Sequence, residues 1–225
     1  MKTIFSTIVM LLFAVRVQAD CQPVADNQFL TGDEGISIRS INFTANNVFD
    51  LTDKASFWLH EFANYTHTVT QDSVLADDLL FKAGDPLRIE VLAETERLLR
   101  SRRYIREAEV RISHYCAEDN SVIVNVTTWD NWSLLPTLDF SSEGGRSKSA
   151  IGFEEDNLLG SGNRLNFEYK HDSERTGLGF IFYSPNMFGS FWNSTVAYSK
   201  NSDGNNYQLS VNRPCYRLSS PWALG

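Results

Sequence analysis

The 225-residue chain is poor in the residues that most often carry chemistry, with three cysteines and four histidines. His60, His67, His114 and His171 show no metal-ligand spacing, so no metal and no other cofactor is expected. Gly160-Ser161-Gly162 lacks the glycines two positions either side of serine that a nucleophile elbow needs. There is no glycine loop of the phosphate-binding type. With no catalytic constellation, the expectation is that the protein is not an enzyme. Basic residues are the minority, 20 against 28 acidic ones, for a formal charge of −8. That balance argues against nucleic acid and anionic headgroups as partners. After the first residues, no stretch approaches the roughly 20 apolar residues of a membrane helix. If the chain enters a membrane, it does so as strands.

A hydrophobic content of 42% with 12% aromatics suits a folded chain and not a disordered one. Lys2, the apolar run Ile4 to Val15 and the small residues of Val17-Gln18-Ala19 read as a secretory signal, residues 1–19, cleaved before Asp20. A lipid anchor on Cys21 is disfavoured because Asp20 stands where a small residue is expected. Export permits disulfides. One reading joins Cys21 to Cys116 and leaves Cys215 free; the other takes all three as incidental, and spacing alone does not decide.

After a linker, 20–34, residues 35–130 read as an α+β unit. Gly35 to Phe43 alternates as a strand, and Lys54 to Asn64 reads as a helix with Phe57, Trp58 and Phe62 along one side. Gly84-Asp85-Pro86 breaks the chain before a second helix, Ile89 to Arg100, with Ile89, Leu92, Glu96 and Leu99 at helical spacing. Its basic end (Arg97, Arg100, Arg102, Arg103) is either a solvated edge favoured by the macrodipole or a partner site. Glu107 to Tyr115 and Ser121 to Thr128 alternate as a closing hairpin. The expected order is β-α-α-β-β, with an open sheet edge that either accepts an extended peptide by β-augmentation or is a protected edge strand.

From residue 131 to residue 225 the pattern is one of strands alone. Leu134–Ser142, Ser149–Glu154, Arg164–His171, Gly177–Tyr183, Trp192–Ser199 and Tyr207–Asn212 alternate apolar with polar. Leu165, Phe167 and Tyr169 face away from Asn166, Glu168 and Lys170. A soluble sandwich also alternates. Aromatics expected near strand ends (Tyr169, Tyr183, Phe188, Phe191, Trp192, Tyr198) and a polar or glycine second face favour a membrane barrel. The acidic run Glu154-Glu155-Asp156 reads as a solvated rim.

The junction Thr127-Thr128-Trp129-Asp130-Asn131-Trp132-Ser133-Leu134-Leu135-Pro136 resembles the link from the last POTRA domain to the first barrel strand in the BamA/TamA superfamily of outer-membrane assembly factors. Asn157-Leu158-Leu159-Gly160-Ser161-Gly162 is similar to that family's first periplasmic turn. Leu79 to Leu87, Glu96 to Val110, Ser184 to Phe188 and Arg213 to Tyr216 fall in matching order. The resemblance implies an α+β periplasmic POTRA-like domain (35–130) followed by the first antiparallel strands of a transmembrane β-barrel (131–225). About six strands are present where a bacterial barrel needs at least eight, so the chain reads as an amino-terminal fragment. It further implies a location in the bacterial outer membrane, with the POTRA-like domain in the periplasm and outer-membrane lipid around the strands. Partners would be unfolded outer-membrane or secreted polypeptides. The implied client edge is Glu107, Ala108, Glu109, Val110, Arg111, Ile112 and Ser113, and the barrel's first strand offers Leu134, Leu138, Asp139 and Phe140. Alternatives are a secretion conduit for one dedicated passenger, or a soluble periplasmic binding module.

Overall fold

Alternation of apolar and polar residues produces two separate sheets in the computed structural model, which describes residues 21–24, 35–51, 57–144, 146–217, 220 and 222–224. The expected signal, 1–19, and the start of the first expected helix at Lys54 lie outside the described residues.

The first sheet contains β1 (Gln22–Pro23), β2 (Ser37–Asn46), β3 (Ile105–Cys116) and β4 (Ser121–Asp130), in the order β1-β3-β4-β2. β3 and β4 form a hairpin, whereas β2 runs parallel to β4. A parallel pair requires a crossover, and α1 (Trp58–Thr66), α2 (Asp72–Asp77) and α3 (Ile89–Arg100) supply it. Ala108, Val110 and Ile112 of β3 and Val122, Val124 and Val126 of β4 pack with Leu75 of α2 and Leu92 and Leu99 of α3.

Two expectations need correction here. The order among the described residues has three helices and not two, because the six residues of α2 are too few and too polar to show a period. At α1, Phe57, Trp58 and Phe62 are exposed, and Ala63 is the buried residue. This helix is held instead through Asn64, whose side chain exchanges hydrogen bonds with the Phe49 backbone at 2.8 and 3.1 Å. Part of the expected linker is structured, since Cys21 is disulfide-bonded to Cys116 and β1 pairs with Tyr115 and His114 of β3. Cys215 is free and exposed.

The second sheet is an antiparallel meander of β5 (Leu134–Glu143), β6 (Arg146–Glu155), β7 (Arg164–Asp172), β8 (Thr176–Ser184), β9 (Asn193–Asn201) and β10 (Gly204–Asn212). Its register aligns Pro136, Phe153, Phe167, Phe180, Tyr198 and Tyr207 in one line across all six strands. Leu138, Ile151, Tyr169 and Leu178 form the next line on that face. The other face carries the line Thr137, Gly152, Glu168, Gly179, Ser199 and Asn206. Large apolar side chains on the first face stay exposed, Phe140 at 76% and Leu209 at 75%. The aromatics thus form a band across mid-strand positions as well as near the ends. Tyr183 is not part of it: it lies opposite Arg164, whose guanidinium sits 5.3 Å from its ring centre.

Candidate functional site

The outer edge of β3, the end strand β5 and the joint between the sheets are candidate places for this fold to act on another molecule. On β3, Glu107 and Arg111 are exposed and Glu109 half-exposed on one face, while Ala108, Val110 and Ile112 point into the core. β4 covers one side of β3 along its whole length. Among the described residues, the other side is met at its end, where β1 pairs with Tyr115 and His114 and the Val24 N–H donates to the Ser113 carbonyl at 2.9 Å. The Val110 N–H turns away from β4 and donates to the Glu96 carboxylate at 3.0 Å. Among the described residues, Glu107–Arg111 is therefore a sheet edge that no strand covers, and the edge is closed toward Ser113.

β5 is the end strand of the second sheet. Leu138 and Phe140 project from its apolar face and Asp139 from the other, all exposed. Pro136, which has no N–H to donate, suits a terminal strand. The polar face of β7 to β10 encloses an open cleft of about 720 Å³ lined by Glu168, Lys170, Asn201, Asn206 and Gln208 among others.

The joint between the sheets is polar and buried. His67, just beyond α1, places Nε2 2.9 Å from Asp130 Oδ2 and Nδ1 3.2 Å from Ser133 Oγ. The Thr70 backbone N–H donates to Asp130 at 2.7 Å and its hydroxyl at 2.9 Å. Asn157 then donates to the Thr70 hydroxyl at 2.9 Å and accepts from the Gly162 N–H at 2.8 Å. Ser133, His67 and Asp130 have the order of a serine relay, but all three are buried and no described cleft opens on them. The geometry makes it a structural lock.

A second set joins Arg102 to Asp78, with a 2.7 Å bond from Nε to Oδ2. Asn186 donates to the same carboxylate at 2.8 Å. Burial works against the Arg102 charge, but Asp78 outweighs it by charge and hydrogen bonding and raises the arginine's pKa. Burial, with the Asp78 charge next, pushes the Tyr104 phenol well above its ordinary value. A third set joins Arg103 to Glu154 at 2.7 Å and to Asp156 at 3.2 Å, and Arg164 to Asp156 at 2.6 Å.

These contacts correct one further expectation. The acidic run is not a solvated rim: Asp156 is buried and paired with two arginines. At the basic end of α3, Arg97, Arg100 and Arg103 stay about half exposed while pairing with Glu94, Glu96 and Glu154, and Arg102 is largely buried against Asp78. The turns at 158–160 and 187–189 share one construction that the sequence reading treated separately. In each, an asparagine (Asn157, Asn186) accepts from a backbone N–H five residues on, and the middle residue (Leu159, Phe188) has φ near +55°.

An α+β unit leading into an antiparallel meander, apolar on one face, is the fold class that emerges. Among solved structures, that of BamA from Haemophilus ducreyi lacking POTRA domains 1–3 is similar, with a TM-score of 0.54 and 15% identity over 87% of this chain and 37% of that one. CdiB from Acinetobacter baumannii is a weaker match, with a TM-score of 0.49 and 13% identity over 79% of this chain and 33% of that one. The chain spans about a third of the length of each. No family model and no curated protein matches the sequence. The likeness to BamA is one of fold.

Proposed function

We propose that this chain is part of an outer-membrane assembly or insertion factor. In this reading residues 35–130 are a POTRA domain in the periplasm, and residues 131–225 are opening strands of a transmembrane barrel. Unfolded outer-membrane or secreted polypeptides add as strands to β3 at Glu107–Arg111, the part of the expected edge Glu107–Ser113 that β1 and Val24 leave uncovered, and are then templated along β5 from Leu134 through Leu138, Asp139 and Phe140. The observation that carries the reading is the line of apolar side chains from Pro136 to Tyr207, uncovered across six hydrogen-bonded strands and backed by a polar face. A face of that kind belongs against hydrocarbon, with the polar face toward a wet interior. The outer edge of β3 and the end strand β5 supply the backbone donors and acceptors that strand addition needs.

Val110→Pro tests the client edge. Because the Val110 N–H points away from β4, proline there removes an edge donor without removing a β3–β4 hydrogen bond. Photocrosslinking from position 111 to an unfolded outer-membrane polypeptide should fall, with helical circular dichroism unchanged. Undiminished crosslinking in a folded variant rejects the assignment.

A further inference from the structure

Glu96 is an acid in the stripe of α3 that packs toward β3, and its side chain is only 16% exposed. One carboxylate oxygen accepts the Val110 N–H at 3.0 Å, and the other is held by Arg100 at 2.9 Å. A carboxylate bonded to an outward N–H of an edge strand does what the carbonyl of an added strand would do. It also protects the edge from unwanted pairing, as natural edge strands require. The far end of the same edge is closed by β1, fixed by the Cys21–Cys116 bond and by the Val24-to-Ser113 hydrogen bond.

We propose that Glu96 is a displaceable plug of the β3 edge, and that an extended polypeptide enters by replacing its carboxylate with a backbone carbonyl at Val110. The inference rests on the reading of β3 as a receiving edge and adds what controls entry. The strap at Ser113–Tyr115 sets where the entering strand stops, which leaves Glu107–Arg111 as the receiving stretch. The segment it takes is short, extended and recognised by its backbone. Arg100 is a positioning residue: it holds Glu96 in place and swings with it when the plug opens.

The test uses the full chain and a fluorescein-labelled ten-residue peptide of alternating valine and threonine, followed by anisotropy. Glu96→Ala removes a charged competitor for one hydrogen bond and should bind the peptide about tenfold tighter than the wild type. Glu96→Gln and Arg100→Ala should fall between the two, and they carry the comparison if Glu96→Ala does not fold. Amide exchange at Val110 should quicken in free Glu96→Ala and slow again when peptide is added. Equal peptide affinity in wild type and all folded variants overturns the plug while leaving the receiving edge standing. Absence of binding by every variant overturns both.

Discussion

Asp130→Ala is the sharpest probe of the joint. The Asp130 carboxylate accepts from the Thr70 N–H, the Thr70 hydroxyl and the His67 ring, and its side chain and that of His67 have no solvent exposure. Alanine leaves these donors buried with no acceptor in place. A buried donor left without its acceptor costs about 1–3 kcal/mol, so three such donors should cost roughly 4 kcal/mol in total. With a urea slope of about 2 kcal/mol/M, the midpoint should drop by roughly 2 M. Trp129 and Trp132 flank Asp130 in sequence and report the transition by fluorescence. Thr70→Val keeps the backbone N–H and removes only the hydroxyl, so it should cost about 1 kcal/mol. A loss below about 1 kcal/mol for Asp130→Ala, with the Thr70 amide still slow to exchange, would refute the lock, since donors left unpaired inside a protein cannot be that cheap.

Phe180 lies in the middle of the apolar line, so Phe180→Arg should lower stability in lipid vesicles by about 2–4 kcal/mol if that face meets hydrocarbon. A change within about 0.5 kcal/mol would instead mark an aqueous surface. Tyr104 has a raised folded pKa, so its contribution to stability is complete below the unfolded value of about 10 and is lost as pH rises above it. Stability of the wild type should then fall by about 1.4 kcal/mol per pH unit from this group, and that increment should vanish in Tyr104→Phe titrated from pH 9 to 12. Leu159 and Phe188 adopt φ of +53° and +56° while 73% and 94% exposed. Asparagine tolerates that conformation better, so Leu159→Asn and Phe188→Asn should each raise the urea midpoint by the equivalent of up to about 1 kcal/mol; a decrease would mean that the side chains are held by a contact outside this chain.

The strands and α3 were legible because each carries its own period. Ile89 to Arg100 repeats apolar residues at helical spacing between a proline break and a run of arginines, and the helix occupies those limits. The six meander strands alternate, and the hairpins between them are short enough to keep register. The joint was not legible, for a physical reason. Its partners meet only after folding: Arg103 is 51 residues from Glu154, and His67 is 63 residues from Asp130. Charges that look solvated along the chain become each other's counterions in space. Glu96 was visible as an acid at an apolar spacing, but its role depends on Val110, which only β3 brings to it.

The burial of so much polarity at the joint has a mechanical rationale. An apolar contact between two sheets resists separation but tolerates sliding, because hydrophobic attraction has no direction. Hydrogen bonds do have direction. Three polar sets converge here from different elements: His67, Asp130, Thr70 and Asn157; Arg102, Asp78 and Asn186; and Arg103, Glu154, Asp156 and Arg164. Two of them end on equivalent turns of the second sheet, and the Asn131 N–H, donating to the Tyr104 carbonyl at 2.8 Å, pins the connecting residues between them. A rotation or slide at the joint would break bonds in all three sets together. The orientation of the β3 edge relative to β5 is therefore specified, as it must be if a strand received at one edge is to be passed to the other.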